Sequence, residues 1–265
     1  MCTSHHGQAK VVAFAFITML AASQIQAQTA SEDELWELSF GAKVAHYPKY
    51  MGSKNSATLV LPLIEGYMVL GESTTLFSSD FTLGLDWQFT EPISAGLLST
   101  GRLGRDSSDS KVLVGMDDID DTLEVGVYVA WEMYPTFAMD LAVLTDAGNT
   151  YEGWLAELTA RWRSIVVSDS IVVVTSATLT YGDARFNDTY YGVDPNEVST
   201  NRPVYRADAG VNQAELSIEL HYSPVKHWRL SGSLDLYQLY GDAANSPIVE
   251  NKTQLVPTLS ASYVF

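Results

Sequence analysis

From residue 35 onward the 265-residue chain alternates apolar and polar positions with a period of two. In Asp80–Phe89, one face holds Phe81, Leu83, Leu85, Trp87 and Phe89. Asp80, Thr82, Gly84, Asp86 and Gln88 fall on the other. Leu123, Val125, Val127, Val129, Trp131 and Met133 oppose Glu124, Gly126, Tyr128, Ala130 and Glu132. Leu216, Ile218, Leu220 and Tyr222 oppose Glu215, Ser217, Glu219 and His221. Successive side chains of an extended strand point to opposite faces, so this pattern predicts β-strands with one apolar face. No stretch carries a sustained 3.6-residue stripe. Twelve strands are predicted, near 35–47, 57–70, 74–78, 80–89, 93–104, 122–133, 137–145, 151–164, 170–182, 213–223, 227–240 and 252–265, with ten as the alternative count.

Many of these strands run to 11–14 residues. A β-sandwich strand usually has about 5–6, whereas a tilted membrane crossing needs about 9–11 plus its rims. The connections alternate in length. Gly71–Ser73, Thr90–Pro92, Tyr134–Thr136, Val167–Asp169 and Pro224–Lys226 are short; Pro48–Ser56, Arg105–Asp121, Asp183–Asn212 and Gly241–Asn251 are long. Short periplasmic turns and long external loops are the asymmetry of outer-membrane barrels. In that topology Trp36, Trp87, Trp131, Trp162 and Trp228 gather at the periplasmic interface, while Trp154, Tyr47, Tyr181 and Tyr240 lie near the outer rim. The reading is an all-β protein: a transmembrane, antiparallel, up-and-down β-barrel. A soluble β-sandwich or secreted barrel is the competing class.

Composition explains why neither ordinary class fits. Charged residues make up 18% of the chain, against roughly 25% in soluble domains. Yet no run is long and apolar enough for a membrane helix. A wall with one lipid face and one wet face averages to this middle value. The net charge of −17 opposes nucleic-acid binding, which needs a basic surface. Residues 1–27 are expected to be a secretory signal peptide: Lys10, an apolar stretch Val11–Ala22, and small Ala27 at the cleavage point. The barrel is then 28–265. Its removal takes Cys2, so no disulfide or thiol chemistry is expected in the mature chain.

The end of the chain, Leu259, Ala261, Tyr263 and Phe265 at every second position, has the form of a sorting signal for the barrel-assembly machinery. Several segments together resemble the MipA/OmpV family of outer-membrane proteins, the MltA-interacting proteins. They are Tyr47-Pro-Lys-Tyr-Met-Gly-Ser53, Leu61-Pro-Leu63, Asp118-Ile119, Leu123-Glu124-Val-Gly126, and Tyr190-Tyr191-Gly192-Val193 before Asp194-Pro195. Pro203–Gly210 and Trp228–Val249 complete the set, the latter containing Gly241, Asp242, Ser246 and Pro247. One departure is Glu215, Glu219 and His221, where the family usually has a glycine-rich strand. The resemblance implies an outer-membrane barrel. It also implies a scaffold that links a lytic transglycosylase to a penicillin-binding protein in peptidoglycan synthesis. A porin-like channel is the alternative function and an outer-membrane hydrolase the third.

Candidate chemistry is sparse. Glu124, Arg161, Glu215, Glu219, His221, Arg229 and Asp235, with Arg102, Glu132, Glu157 and Arg163, fall on the lumen face. Their mixed signs fit either ion pairs that close the barrel or a narrow polar pore; the closed interior is favoured. Tyr190–Val193 and Pro203–Tyr205 are the loop segments expected to cap the mouth. Of the five histidines, His46, His221 and His227 lie in the barrel, none at a recognisable spacing from a nucleophile; no catalytic residue and no cofactor is expected. Asp117, Asp118, Asp120 and Asp121 are candidate ligands for a divalent cation, or simply a solvated acidic loop. Outer-membrane lipid and lipopolysaccharide are the expected surroundings.

Overall fold

The alternating segments close on themselves. The computed structural model describes residues 35–165 and 170–265; the expected leader at 1–27 and the turn at Val167–Asp169 lie outside them. Twelve strands follow in order: β1 (Trp36–Pro48), β2 (Ser56–Gly71), β3 (Thr74–Ser79), β4 (Thr82–Thr90), β5 (Ile93–Arg102) and β6 (Thr122–Tyr134). β7 (Phe137–Asp146), β8 (Trp154–Ile165), β9 (Ile171–Gly182), β10 (Gly210–Val225), β11 (Trp228–Leu239) and β12 (Thr253–Val264) complete the set. Each pairs antiparallel with its chain neighbours, and β1 closes the barrel on β12, with Ser39 opposite Val264 and Ala45 opposite Thr258. Closure leaves no free first or last strand, as a sheet surrounded by lipid requires.

The two faces follow the alternation. Leu216, Ile218, Leu234 and Leu236 are exposed on the outside, while Glu215, Tyr237 and Val256 are buried within. Trp36, Trp131, Trp162 and Trp228 are exposed at the short-turn end, as aromatic residues at a membrane interface are. At the other end Trp154 stacks on Tyr181, centroids 5.6 Å apart. Tyr47 departs from the expected outer aromatic rim. It faces inward and is buried against Ala45, Tyr237 and Val256, because it occupies an odd, lumen-side position of β1.

Two expectations shift. The strand expected from Asp80 begins at Thr82: Asp80 takes a left-handed backbone (φ 51°) and, with Phe81, forms the β3–β4 turn. Aspartate tolerates that conformation better than a branched residue would. The strand expected from 151 begins at Trp154. Two helices also form, α1 (Ala184–Tyr191) and α2 (Gly241–Asn245). Asp183 caps α1, its carboxylate accepting the Phe186 N–H at 2.8 Å. Two turns of helix are too short to imprint a stripe on the sequence.

Inside the barrel, aromatic rings fill space left by small residues. Phe77 on β3 lies opposite Gly84 on β4. A β-carbon on Gly84 would sit 2.0 Å from the Phe77 ring, so only glycine admits that ring. Phe77 continues into a buried cluster with Tyr67, Leu98, Tyr128, Leu144, Tyr151, Leu155 and Phe186.

Candidate functional site

The lumen carries two polar networks on opposite walls. On the β4–β8 wall, Arg102 and Glu124 face each other across β5 and β6. The Arg102 Nε and Nη2 both donate to the Glu124 carboxylate, the second at 3.2 Å. The Tyr151 hydroxyl adds a third donor at 2.7 Å, and the Arg102 guanidinium lies 5.1 Å from the Phe186 ring centroid. Arg161 pairs with Asp140 at 2.5 Å, and the Tyr128 hydroxyl donates to Asp86 at 2.5 Å. Glu157 is buried between these groups. Pairing offsets the cost of burying these charges, since an isolated one costs several kcal/mol.

The second network spans β1, β2, β10 and β11. Arg229 reaches Glu37 at 3.0 Å and Glu65 at 4.0 Å. His221 stands between Ser231, at 2.9 Å, and Glu219, at 3.5 Å. Asp235 accepts from Ser217 and from Ser233, the latter at 2.9 Å. Lys43 pairs with Asp80 at 2.5 Å. Glu215 is buried above Asp235 on the same wall. Nine of the eleven residues expected on the lumen face, Arg102 and Glu157 among them, are found in these walls. They belong to two networks, with Glu124 and Arg161 in one and Glu215, Glu219, His221, Arg229 and Asp235 in the other. Lys43 and Asp80 are members that alternation alone does not single out. Alternation puts Asp80 on the polar face, and the turn there brings it onto Lys43.

Above the networks, loops enter the mouth. Helix α1 packs Phe186 and Tyr190 on Tyr151. Tyr191 is buried with Ala207, Leu239, Ala243 and Ala244. Val193 forms a β-bridge with Tyr205 and is buried with Tyr50, Leu113, Met116 and Ile248. The Ser246 hydroxyl donates to the Tyr191 carbonyl at 2.6 Å, and the Tyr205 hydroxyl to the Asp242 carbonyl at 2.8 Å. Gly241 opens α2 with φ 53°, and Gly192 closes α1 through the Asp188 carbonyl. The segments 190–193 and 241–247 are thus brought together as one plug. A strap fastens it: the Tyr50 hydroxyl donates to the Ile248 carbonyl at 2.8 Å, and Ser110 and Lys54 both reach Glu250. Partial burial works against the charged form of Glu250, but Lys54, Ser110 and Tyr50 outweigh it and hold its carboxyl below the ordinary glutamate range. Burial, helped by the Glu250 charge, pushes the Tyr50 phenol up.

Beside the plug lies an external cleft of about 520 Å³, lined by Arg105, Asp117, Asp118, Asp120, Asp121, Asp188, Asp194, Glu197 and Arg206 among others. Asp118 accepts the Ser107 N–H at 2.6 Å and Asp121 the Gly104 N–H at 2.8 Å. These carboxylates fold their own loop. Among the described residues no three Asp, Glu, His or Cys side chains converge to hold a metal ion. Arg206 bridges Asp188 and Asp194, at 2.5 and 2.8 Å. Burial lowers the Arg105 guanidinium from its usual range. At the opposite end, Phe265 packs on Phe40 and Tyr263, and its N–H donates to the Leu38 carbonyl at 2.9 Å. Leu259 and Tyr263 face outward beside it, with Ala261 between them on β12.

The family model described as MltA-interacting protein MipA matches residues 40–265. The chain belongs to the MipA family. It is similar to outer membrane protein Omp26La of Vibrio anguillarum, 22% identical over 271 residues, covering 97% of this chain and 99% of the relative. Among solved structures it is similar to the translocator domain of autotransporter NalP from Neisseria meningitidis. That match has a TM-score of 0.48 and 8% identity, and covers 93% of each chain. An outer membrane channel from Pseudomonas putida F1 matches with a TM-score of 0.47 and 13% identity, over 89% of this chain and all of that one. This MipA-family protein is an outer-membrane β-barrel, with its short turns toward the periplasm and its long loops outside.

Proposed function

We propose that this MipA-family barrel does not conduct and is not an enzyme, and that it serves as an attachment point for a cell-wall lytic enzyme and a penicillin-binding protein. The observation that carries the reading is the occupied lumen: one network of buried ion pairs and one of half-buried pairs, with α1 and the 241–247 segment packed above them. A barrel whose interior is spent on charge pairing has its periplasmic turns left as working surface. The family description, an interacting protein of MltA, supports the same reading. The turn between β10 and β11 offers Lys226 and His227, the latter stacked on Tyr263 with centroids 5.5 Å apart.

Planar-bilayer recording of the full chain is expected to show no steady single-channel current; a steady current would make it a channel. Capture from detergent extracts is expected to bring down a lytic transglycosylase, and the paired change Lys226→Ala and His227→Ala to weaken that capture. Absence of any transglycosylase or penicillin-binding protein in the wild-type capture sinks the scaffold reading. The row Ser231–His221–Glu219 resembles a nucleophile, base and orienting acid. It is read here as a strut of the lumen network. Hydrolysis of a short-chain nitrophenyl ester that disappears with Ser231→Ala would reverse that assignment.

A further inference from the structure

The wall of the barrel is incomplete on its outer half. Followed through the register, the strand tops step by at most about two residues between neighbours, as shear requires, except at β3 and β4. β3 pairs with β2 only from Gly66 to Gly71. β4 begins at Thr82, opposite Thr100 of β5. The hairpin stops about five to seven residues short of the rim, a notch roughly 20 Å long at about 3.3 Å per residue. Along it, Ser56–Glu65 of β2 has no strand partner on the β3 side among the described residues.

The side chains around the lower part of the notch are apolar, while Thr58, Val60 and Ile64 turn backbone groups toward it. The Val69 N–H donates to Leu35 on the β1 side, and alternate residues of a strand bond to the same neighbour. The odd residues of β2 therefore bond β1, and the even ones face the notch. Ile64, an even residue, accordingly accepts the Ser78 hydroxyl from the hairpin at 3.3 Å. The next even residue is Pro62, which has no N–H to leave unpaired. Val60 is 68% exposed and Ile64 43%, and Phe81 forms the floor at 37%. Leu61 and Leu63 back the groove from the lumen, almost fully buried. Gly101 on β5 borders it from the other side, with only the Phe81 β-carbon near, at 4.0 Å. At the top the lining turns polar, His46 bonding Thr58 at 3.0 Å. Asp80 at the tip is drawn inward onto Lys43, so no charge faces the groove from the hairpin.

We propose that this notch is a binding groove for one acyl chain of an outer-leaflet lipopolysaccharide. A hydrocarbon chain packs on the apolar side chains Val60, Ile64 and Phe81, and Pro62 removes one of the donors that a pairing strand would use. A partner strand, or β2 of a second copy, is disfavoured for the same reason. The groove lies in the external half of the wall, beside the lipopolysaccharide leaflet, and its polar top sits where the head group would be.

The test uses the full chain purified from outer membranes in mild detergent, with retained lipid counted per barrel by mass spectrometry. The wild type is expected to keep about one lipopolysaccharide per barrel. Gly101→Trp, whose indole fills the groove, is expected to lose it several-fold, while Leu216→Trp on the fully paired wall keeps it. Gel mobility before and after heating reports whether each variant is folded. If Gly101→Trp does not fold, Pro62→Ala serves instead: it restores an N–H facing the groove and is expected to lower retention. Equal retention in groove and wall variants, phospholipid in place of lipopolysaccharide, or a dimer strengthened by Pro62→Ala would each overturn the proposal.

Discussion

The β10–β11 and β3–β4 hairpins are written in the same alternating code and build different walls. β10 and β11 pair from Gln213 opposite Leu239 down to Val225 opposite Trp228. Their lumen face is a continuous polar ladder, including Ser217 against Asp235 and His221 against Ser231. β3 and β4 pair only from Ser79 opposite Thr82 to Thr74 opposite Trp87. Beside them the outer half of β2 is apolar on both faces, with Val60, Pro62 and Ile64 outside and Leu59, Leu61 and Leu63 inside. Alternation encodes which way a side chain points, not whether the strand has a neighbour. The fully paired region spreads its charges along the whole lumen face; the half-paired one keeps Asp86 low on β4, bonded by Tyr128, and anchors its tip by the Lys43–Asp80 pair.

The sharpest way to break that contrast is to strike one pair in each region. Arg102→Ala leaves Glu124, which has no exposed surface, with the Tyr151 hydroxyl as its remaining hydrogen-bond donor among the described residues. Removing one partner of a buried pair costs about 3–5 kcal/mol, so this is the largest expected effect, read by urea unfolding in lipid vesicles. Lys43→Met strands Asp80 in the same way, but at a hairpin tip beside the notch, where the carboxylate can swing outward to the rim. The expected loss is smaller, about 1–3 kcal/mol. An equal loss in the two variants would show that the notch does not relieve the tip. Hydrogen exchange tests the two walls without any mutation. Amides of β3, with few paired residues, are expected to exchange faster than those of β9 and β10, because protection follows local pairing and packing.

The contrast also marks how far the sequence could be read. Strand number and order, the facing of the lumen charges and the tryptophan belt were legible, because each depends only on a residue's parity within its own strand. Ion partners were not: Arg102 meets Glu124 through a register between β5 and β6 that no local pattern states. Helix α1 was missed because two turns leave too few positions for periodicity to show. The notch was missed because Asp80 and Phe81 continue the alternation straight through the turn. One signal did point to it. A proline inside an otherwise regular strand belongs at an unpaired edge, and Pro62 stands in the middle of β2. The acidic run Asp117–Asp121 was visible as charge, whereas its use in capping backbone N–H groups depends on loop geometry.

The smallest expected effect concerns the strap that holds the plug, and it separates local from global stability. Glu250 gathers Lys54, Ser110 and Tyr50, and these partners keep its carboxyl below the ordinary range despite partial burial. A group depressed in the folded state contributes stability above its unfolded pKa and loses it as the pH falls through the folded value. Acidification below the ordinary glutamate range is therefore expected to loosen the strap, while Asp109 on the β5–β6 loop, which burial raises, works in the opposite direction. Glu250→Gln isolates the first contribution. It removes the charge at every pH, is expected to cost about 1 kcal/mol near neutrality, and should abolish the strap's own acid dependence. Exchange at the Ile248 and Leu113 amides is the readout, because both residues are buried beneath the strap. If those amides open with the same acid profile in the wild type and in Glu250→Gln, the strap is not what holds the plug, and the cluster of Tyr50, Leu113, Met116, Val193 and Ile248 carries it alone.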